Sequence, residues 1–162
     1  MNFRIGNGYD VHVLADGLPF WLGGIQIDHT KGCVAHSDGD VAIHALCDAL
    51  LGAAALRDIG TLFPDTDAEF KGMDSKILLS RTIGILREHG YRIGNVDVTI
   101  CLQSPKVKDY IPQMCRGLSQ TMEVSLDQVS VKATTTEKLG FIGREEGIAA
   151  YATALIYKEK EV

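Results

Sequence analysis

Three residues near the start of the chain are spaced so that they could bind a metal ion together. Asp10 and His12 are two residues apart in a segment that is predicted to be a strand, so both side chains should lie on one face of a sheet. His44 belongs to the helix predicted to follow. Two imidazoles and one carboxylate suit Zn²⁺ and leave its fourth coordination position for substrate or water. The pattern Asp-x-His is weak by itself, because a single histidine on a strand is more often a hydrogen-bonded polar residue than a ligand.

The helix predicted for residues 36–56 carries His44 on an unusual polar stripe. Ser37 is expected to cap this helix, and Asp40 would complete an S-x-x-D capping box, although contact with a ligand is an alternative role for Asp40. At 100° per residue, Asp40, His44 and Asp48 lie on one side, and alanines and leucines lie opposite. Asp48 is one turn beyond His44 and is expected to orient its imidazole. The N-terminus of the helix should also favour a phosphate group.

Other segments contain residues that are suited to binding a phosphate group. Residues 134–136 are three threonines at the end of a predicted strand, and their hydroxyl and backbone N–H groups could bind phosphate in a turn. Glu137 offers a carboxylate of the kind that binds Mg²⁺ beside a diphosphate. A polar strand end is an equally good interpretation of the threonines. Residues 103–106 are a weaker example, and the acidic segments 58–60 and 63–67 are by themselves ordinary turn sequences.

Composition limits the class of function. The chain has 162 residues, 46% of them hydrophobic, which is enough for one domain with a proper core. A formal net charge of −5 and the absence of a Lys/Arg cluster argue against a nucleic-acid-binding protein. Four cysteines without a C-x-x-C pair indicate reduced thiols. No signal peptide and no apolar run near the roughly 20 residues of a membrane span are found, so a cytoplasmic location without a membrane partner is expected.

The predicted elements follow the order β-β-α-α-β-α-β-β, which indicates an α+β fold in a single domain over residues 1–162. Strands are expected at 3–13, 20–27, 96–102, 129–133 and 148–157, the first two forming a hairpin, and helices at 36–56, 74–89 and 109–122. Loops are expected at 28–34, 57–72 and 134–147. The three helices should pack on one face of a mixed β-sheet. Because no segment remains to cover the other face, that face is expected to be used in an oligomer.

Five segments occur in the order found in a known enzyme family. They are GYDVH (8–12), AHSDGDVAIHALCDALLGAAAL (35–56), DIGTLFPDTD (58–67), GNVDVTI (94–100) and KATTTEKLGFIGREEGIA (132–149). Together they resemble the 2-C-methyl-D-erythritol 2,4-cyclodiphosphate synthases of the non-mevalonate isoprenoid pathway. The resemblance implies a homotrimer with active sites between subunits. It also implies a lyase reaction, in which the 2-phosphate of 4-diphosphocytidyl-2-C-methyl-D-erythritol 2-phosphate attacks the β-phosphate, closes the cyclic diphosphate and expels CMP.

The resemblance also implies roles for individual residues. Asp10, His12 and His44 would bind one Zn²⁺ per active site, Glu137 would bind Mg²⁺ or Mn²⁺ at the diphosphate, and His36 and Thr135 would stabilise the transition state. The residues implied to contact the methylerythritol phosphate, besides Asp10 and His12, are His36, Ser37, Asp58, Ile59, Gly60, Phe63, Pro64, Asp65, Thr66 and Asp67. Those implied to hold the cytidine diphosphate are Leu102, Gln103, Ser104, Pro105, Lys106, Val107, Lys108, Thr134, Thr135, Thr136 and Glu137. Phe141 and Arg144 would line the substrate or a cavity on the trimer axis.

Two positions depart from the family pattern. Tyr151 stands where relatives often have a glutamate facing the trimer axis, and Tyr9 replaces a common phenylalanine. The isoprenoid diphosphate binding of some relatives is therefore not transferred to this chain. Two other functions remain open from the residues alone. One is a zinc phosphohydrolase, in which the metal activates water, and the other is a non-enzymatic trimer that binds cytidine nucleotides or isoprenoid diphosphates.

Overall fold

The computed structural model describes residues 2–63 and 72–158, which contain seven strands and five α-helices. The strands are β1 (Asn2–Asp16), β2 (Phe20–Leu22), β3 (Ile25–Ile27), β4 (Lys31–Val34), β5 (Tyr91–Cys101), β6 (Val129–Thr134) and β7 (Gly147–Lys158). The helices are α1 (Val41–Ala53), α2 (Ile59–Leu62), α3 (Ser75–Glu88), α4 (Ile111–Met122) and α5 (Gly140–Gly143). No helix within these two ranges is both long and apolar enough to span a membrane.

Five of the strands form one mixed sheet in the order β4-β1-β7-β5-β6. Strand β1 is antiparallel to β4 and β7, and β5 is antiparallel to β7. Strands β5 and β6 are parallel, as expected when a helix, here α4, connects consecutive strands of one sheet. Val96, Val98 and Ile100, whose alternation predicted a strand, are buried on one face of β5. The predicted mixed α+β fold is confirmed.

The sequence prediction was wrong at two places among the short strands. Residues 20–27 form β2 and β3, a hairpin of their own, instead of one strand. Gly23 and Gly24 both have positive φ and make the turn that divides the segment. Residues 31–34, expected to be loop, form β4 and pair with residues 13–16 of β1 at the sheet edge. Four residues that include Lys31 and Gly32 are too few to show the period of a strand.

Helix α1 begins later than predicted, at Val41, and its N-cap is Asp40 rather than Ser37. The Asp40 side chain is fully buried and accepts hydrogen bonds from the N–H group of Ile43 and from two N–H groups in the β2–β3 turn. Of its two alternative roles, Asp40 therefore has the capping one. A buried carboxylate therefore already accepts at this helix N-terminus, and the prediction that the terminus favours a phosphate group stays a prediction.

Helix α1 packs directly on β1 because small residues face each other at the contact. A Cβ atom added at Gly6 would lie 1.9 Å from the carbonyl oxygen of Ala49, and one added at Gly8 would lie 1.9 Å from that of Ala45. Glycine at these two positions leaves room for the close approach. The contact places the helix that carries His44 directly against the strand that carries the other two candidate metal ligands.

The two later long helices agree with the prediction. Asp74 caps α3, which ends just before Gly90, where φ is +77°. Helix α4 has Pro112 in its first turn, where its missing N–H group costs nothing. Helices α2 and α5 lie in segments expected to be loops, since four residues are too short to show helical periodicity. Residues 64–71 of the predicted long loop lie outside the described residues.

Candidate metal and substrate site

Asp10, His12 and His44 form a compact cluster between β1 and α1. The alternation of β1 places Asp10 and His12 on the same face, as predicted, and α1 brings His44 beside them. The Asp10 Oδ2 atom lies 3.2 Å from Nε2 of His12 and 3.1 Å from Nδ1 of His44. One ligand atom from each residue lies within 4.8 Å of the other two, so the three could hold a single metal ion.

The hydrogen bonds around the His12 ring leave a suitable nitrogen for a metal. Nδ1 of His12 lies 3.1 Å from the carbonyl oxygen of Gly39, to which it can only donate, so Nε2 keeps its lone pair on the side of Asp10. The rings of His12 and His44 are nearly perpendicular, at 88°, with centroids 5.1 Å apart. Two imidazole nitrogens and one carboxylate oxygen match the donor set of catalytic Zn²⁺ sites.

The second nitrogen of the His44 ring, Nε2, faces two serine hydroxyl groups. The Oγ atoms of Ser37 and Ser75 each lie 3.1 Å from it. Ser75 is the first residue of α3, is fully buried and also contacts Asp38. Ser37 was predicted to contact substrate, but Ser75 and Asp38 had no predicted role in the site. Ser75 is 31 residues from His44 in sequence, so no pattern within a single helix or strand could connect the two.

Burial and the interactions between Asp10 and the two histidines shift the pKa values of these residues in opposite directions. Burial tends to raise the pKa of Asp10, but the hydrogen bond from His44 and the charges of both histidines lower it below its usual value. Burial lowers the pKa of His12, and the charge of Asp10 offsets only part of this effect. Burial also tends to lower the pKa of His44, but the hydrogen bond and charge of Asp10 raise it above the usual value. In the metal-free chain, His44 is therefore the ring that holds its proton more strongly.

A cavity of about 320 Å³ opens beside the cluster. Its lining combines predicted metal ligands with predicted substrate contacts: Asp10, His12, His36, Ser37, His44, Asp48, Ile59, Gly60 and Phe63, together with Val34, Ala35 and Leu78. The structure thus brings together most of the residues that were predicted to contact the methylerythritol phosphate. Asp58 caps α2 at the edge of this group. Pro64, Asp65, Thr66 and Asp67 lie outside the described residues.

Asp48 contacts a different group from the one predicted. Its Oδ1 atom accepts a hydrogen bond of 2.8 Å from the N–H group of Ile59, whereas the His44 ring is hydrogen-bonded to other side chains. Burial raises the pKa of Asp48, and the Ile59 N–H group offsets only part of this increase. Asp48 therefore fixes the start of α2 beside the cavity. An effect of Asp48 on the orientation of His44 stays a prediction.

Most of the residues predicted to hold the cytidine diphosphate line a separate cavity of about 140 Å³. Its walls come from the loop after β5 and from the end of β6: Leu102, Gln103, Pro105, Lys106, Val107, Lys108, Ala133, Thr134 and Thr135. Ser104 belongs to the first of these segments. The N–H group of Lys138 donates a hydrogen bond of 3.1 Å to Oε1 of Gln103, which joins the two segments.

The loop after β6 is held in an uncommon conformation. Glu137 and Lys138 have φ values of +53° and +65°, in the left-handed region that non-glycine residues seldom adopt. The Thr135 hydroxyl donates a hydrogen bond of 3.0 Å to Oε1 of Glu137, and the Thr136 hydroxyl donates one of 2.7 Å to the Leu139 carbonyl. The carboxylate of Glu137 is consequently held at the surface and does not belong to the Asp10–His12–His44 cluster.

Phe141 and Arg144 are outside the two cavities just described. Phe141 belongs to α5, and Arg144 is the C-cap of that helix. The Arg144 guanidinium donates two hydrogen bonds to the Glu146 carboxylate, at 2.9 and 3.0 Å. These bonds hold the pKa of Glu146 below its usual value. Contact of Phe141 and Arg144 with substrate or with an axial cavity stays a prediction.

Comparison with known proteins decides the family. The model of the YgbB family matches residues 3–157. The chain belongs to the YgbB family. It is 60% identical over 158 residues to the 2-C-methyl-D-erythritol 2,4-cyclodiphosphate synthase of Phocaeicola vulgatus, a match that covers 98% of this chain and 99% of that relative. The resemblance found in the sequence motifs is confirmed.

Solved structures similar to this YgbB family member agree in fold. IspF of Plasmodium falciparum, solved as a CDP complex, is 34% identical with a TM-score of 0.86, and the match covers 98% of both chains. The bifunctional IspDF from Campylobacter jejuni is 46% identical with a TM-score of 0.94. In that case the match covers 98% of this chain but only 43% of the other, so the chain corresponds to less than half of the bifunctional protein.

Proposed function

We propose that the chain is a 2-C-methyl-D-erythritol 2,4-cyclodiphosphate synthase, a phosphorus–oxygen lyase. The observation that carries this proposal is the cluster of Asp10, His12 and His44 on a cavity that His36 and Ser37 also line, in a chain 60% identical to a synthase of this name. In the reaction, an oxygen of the substrate 2-phosphate bonds to the β-phosphorus, and the bond from that phosphorus to the oxygen bridging to the α-phosphorus breaks. The products are the cyclic diphosphate and CMP.

The residues of the chain would lower the barrier mainly by positioning the phosphate groups. A phosphate nucleophile is already anionic at neutral pH, so the reaction needs orientation and charge neutralisation more than a strong base. His36 and Ser37 would hold the methylerythritol phosphate, and Thr135 would donate to the diphosphate. We assign Zn²⁺ to the Asp10 cluster and Mg²⁺ or Mn²⁺ to Glu137. Divalent cations bound there would neutralise the charge that develops on the phosphate oxygens.

A homotrimer with active sites between subunits would join the two cavities that a single chain keeps separate. The outward face of β1 supports this assembly, because it presents a row of large apolar residues that are 44–72% exposed: Phe3, Ile5, Tyr9, Val11 and Val13. Tyr151 extends this row on β7, with its ring centroid 4.8 Å from that of Tyr9. The long helices would then occupy the opposite face, and the loop with Thr135 and Glu137 of one subunit would meet the Asp10 cluster of the next.

Phosphorus NMR of the reaction products tests the proposed function. The chain is incubated with 4-diphosphocytidyl-2-C-methyl-D-erythritol 2-phosphate, Zn²⁺ and Mg²⁺, and we expect CMP and a cyclic diphosphate to appear in equal amounts. Release of linear methylerythritol phosphates would indicate a phosphohydrolase, and binding without turnover would indicate a nucleotide-binding protein; either result would contradict the proposal. The His44→Ala variant is the inactive comparison. Ser119→Ala, in which a buried hydroxyl bonded within α4 is lost, should retain activity.

Two earlier expectations stay predictions. A single domain over residues 1–162 agrees with the family match over residues 3–157, and limited proteolysis that leaves one core fragment would support it. The second is the cytoplasmic location, with which four free cysteine thiols are consistent. Cell fractionation with an antibody against the chain would test this location directly.

A further inference from the structure

Asp38 and Ser75 form a chain of contacts behind His44, on the side away from Asp10. The Ser75 hydroxyl lies 2.5 Å from Oδ1 of Asp38, and the Ser75 N–H group donates a hydrogen bond of 2.9 Å to Oδ2 of the same carboxylate. On its other side, Ser75 Oγ lies 3.1 Å from Nε2 of His44. One carboxylate thus holds both the backbone and the hydroxyl group of the residue that touches the imidazole.

Proton counting fixes the direction of these hydrogen bonds. An ionised carboxylate only accepts, so the single hydroxyl proton of Ser75 is donated to Asp38. The Ser75 oxygen can then only accept from His44, which must carry its proton on Nε2. Ser37 Oγ, also 3.1 Å from Nε2, already accepts from the Gly39 N–H group and can accept a second hydrogen bond from the same ring nitrogen. With the proton on Nε2, the lone pair of a neutral His44 is on Nδ1, the atom that faces Asp10.

Capping of α3 does not account for the contacts that the Ser75 hydroxyl group makes. The N-cap of α3 is Asp74, whose carboxylate accepts from the N–H group of Lys76, so capping is provided without the hydroxyl group. Ser75 is fully buried, and its hydroxyl group is directed to Asp38 and His44. The hydroxyl therefore serves the ring of His44 rather than the start of the helix.

We propose that Asp38 and Ser75 are positioning residues, which hold His44 in the Nε2–H tautomer and orient its Nδ1 atom for a divalent metal ion. The inference rests on the metal site of the proposed function. Metal-binding histidines commonly donate their other N–H group to a carboxylate or carbonyl group, and the loss of such a partner weakens metal binding about 10–100-fold. His12 uses the carbonyl of Gly39 for this purpose, and His44 uses a hydroxyl group that is itself held by a carboxylate.

Titration of the metal-free chain with Co²⁺ tests the inference without reference to turnover. We expect Ser75→Ala to bind Co²⁺ about 10–100-fold more weakly than the unsubstituted chain. Ser119→Ala is the matched control, because Ser119 is also a buried serine in a helix but donates within α4 to the Arg116 carbonyl. Equal Co²⁺ affinity in the unsubstituted chain and Ser75→Ala would overturn the inference. No Co²⁺ binding by the unsubstituted chain would overturn the metal site itself, and the inference with it.

The tautomer of His44 provides a readout that a purely structural role of Ser75 would not change. In the Zn²⁺-loaded chain, long-range ¹H–¹⁵N correlation spectra should show His44 protonated on Nε2, with a slowly exchanging proton. We expect this proton to exchange faster with water in Ser75→Ala and to be unchanged in Ser119→Ala. A His44 protonated on Nδ1 would overturn the inference.

Asp38→Asn keeps the test decisive if Ser75→Ala does not fold. The substitution retains the size of the side chain and one acceptor oxygen but removes the charge that holds the Ser75 hydroxyl. We expect a loss of Co²⁺ affinity smaller than that of Ser75→Ala but larger than that of Ser119→Ala, and circular dichroism would verify folding of each variant. Unchanged Co²⁺ affinity in a folded Asp38→Asn would overturn the role of Asp38.

Discussion

In the proposed metal site, a proton and a metal ion would compete for the same nitrogen atom of His44. Nδ1 of this ring lies 3.1 Å from Oδ2 of Asp10. Burial tends to lower the pKa of His44, but the hydrogen bond and charge of Asp10 raise it above the ordinary value. A metal that binds Nδ1 must displace this proton, and it replaces one positive charge next to Asp10 with another. Metal affinity should therefore increase as the pH rises and this proton is lost.

We expect the affinity of the chain for Co²⁺ to increase with pH through the ordinary histidine pKa of 6.5 and beyond it. Below this value the protonated His44 ring excludes the metal, and because its pKa is raised the competition continues at higher pH. Co²⁺ titrations between about pH 5.5 and pH 8.5 would measure the dependence. An affinity that stays constant over this range would contradict the assignment of His44 as a ligand.

Replacement of His44 by alanine should remove the metal and nearly all turnover while leaving the oligomer assembled. One of the three donors is lost, so the decrease in affinity should exceed the about 10–100-fold that follows the loss of an outer partner. Elemental analysis for zinc and light scattering would measure the two properties. His89→Ala is the control, because His89 is an exposed histidine at the end of α3. Full zinc occupancy in His44→Ala would refute the ligand assignment.

The cluster of Asp10, His12 and His44 could be predicted from sequence, but the contacts of Asp38 and Ser75 behind it could not. A period of two relates Asp10 to His12, and the amphipathic pattern of one helix indicates His44, so each signal lies within a single element. Ser75 reaches His44 only because α3 packs against α1 in the tertiary structure.

At the scale of elements, local patterns predicted the long strands and helices well and their ends less well. The S-x-x-D pattern placed the start of α1 at Ser37, but the cap is Asp40, because its carboxylate is buried among backbone N–H groups from the β2–β3 turn. That burial arises only in the folded chain and cannot be recognised from the helical pattern of the sequence. The four-residue β4, α2 and α5 were missed because none is long enough to repeat its period.

The close contact between β1 and α1 predicts that a single added methyl group will strongly lower the free energy of unfolding. In Gly8→Ala, the new Cβ would lie 1.9 Å from the carbonyl oxygen of Ala45, and backbone atoms cannot move as easily as a side chain. We expect a loss of unfolding free energy of at least the about 1–3 kcal/mol that overpacking usually costs. Gly52→Ala, on α1 with nothing within 4 Å of the new Cβ, should gain about 0.5–1 kcal/mol. Urea unfolding at one fixed protein concentration would measure both, and equal stability of the two variants would contradict the close packing.

At the scale of the whole molecule, β1 presents a row of large apolar side chains that the described part of a single chain leaves exposed. Ile5 is 72% exposed and Val13 is 62% exposed, and both belong to the same row on β1. The sequence predicted an uncovered face from the shortage of segments to cover it. It could not show the separation of the two cavities, which depends on how the loops after β5 and β6 fold together.

Ile5→Glu should dissociate the proposed trimer, because it would place a charge in the apolar row that neighbouring subunits bury. Light scattering should give about three times 17.6 kDa for the unsubstituted chain and a lower mass for the variant. Leu126→Glu is the control, since Leu126 is 52% exposed but precedes β6 outside this row. A monomeric unsubstituted chain at micromolar concentration would contradict the assembly.

The buried carboxylate of Asp40 couples the opening of the β2–β3 hairpin to that of α1. It accepts hydrogen bonds from the N–H groups of Gly23 and Gly24 in the hairpin and from that of Ile43 in α1. The hairpin cannot separate from the helix without breaking the two hydrogen bonds from Gly23 and Gly24 to this buried carboxylate, at a cost of about 1–3 kcal/mol for each group left unsatisfied. The smallest sheet of the molecule should therefore open together with its central helix. In amide hydrogen exchange, Gly23 and Gly24 should be as strongly protected as the middle of α1.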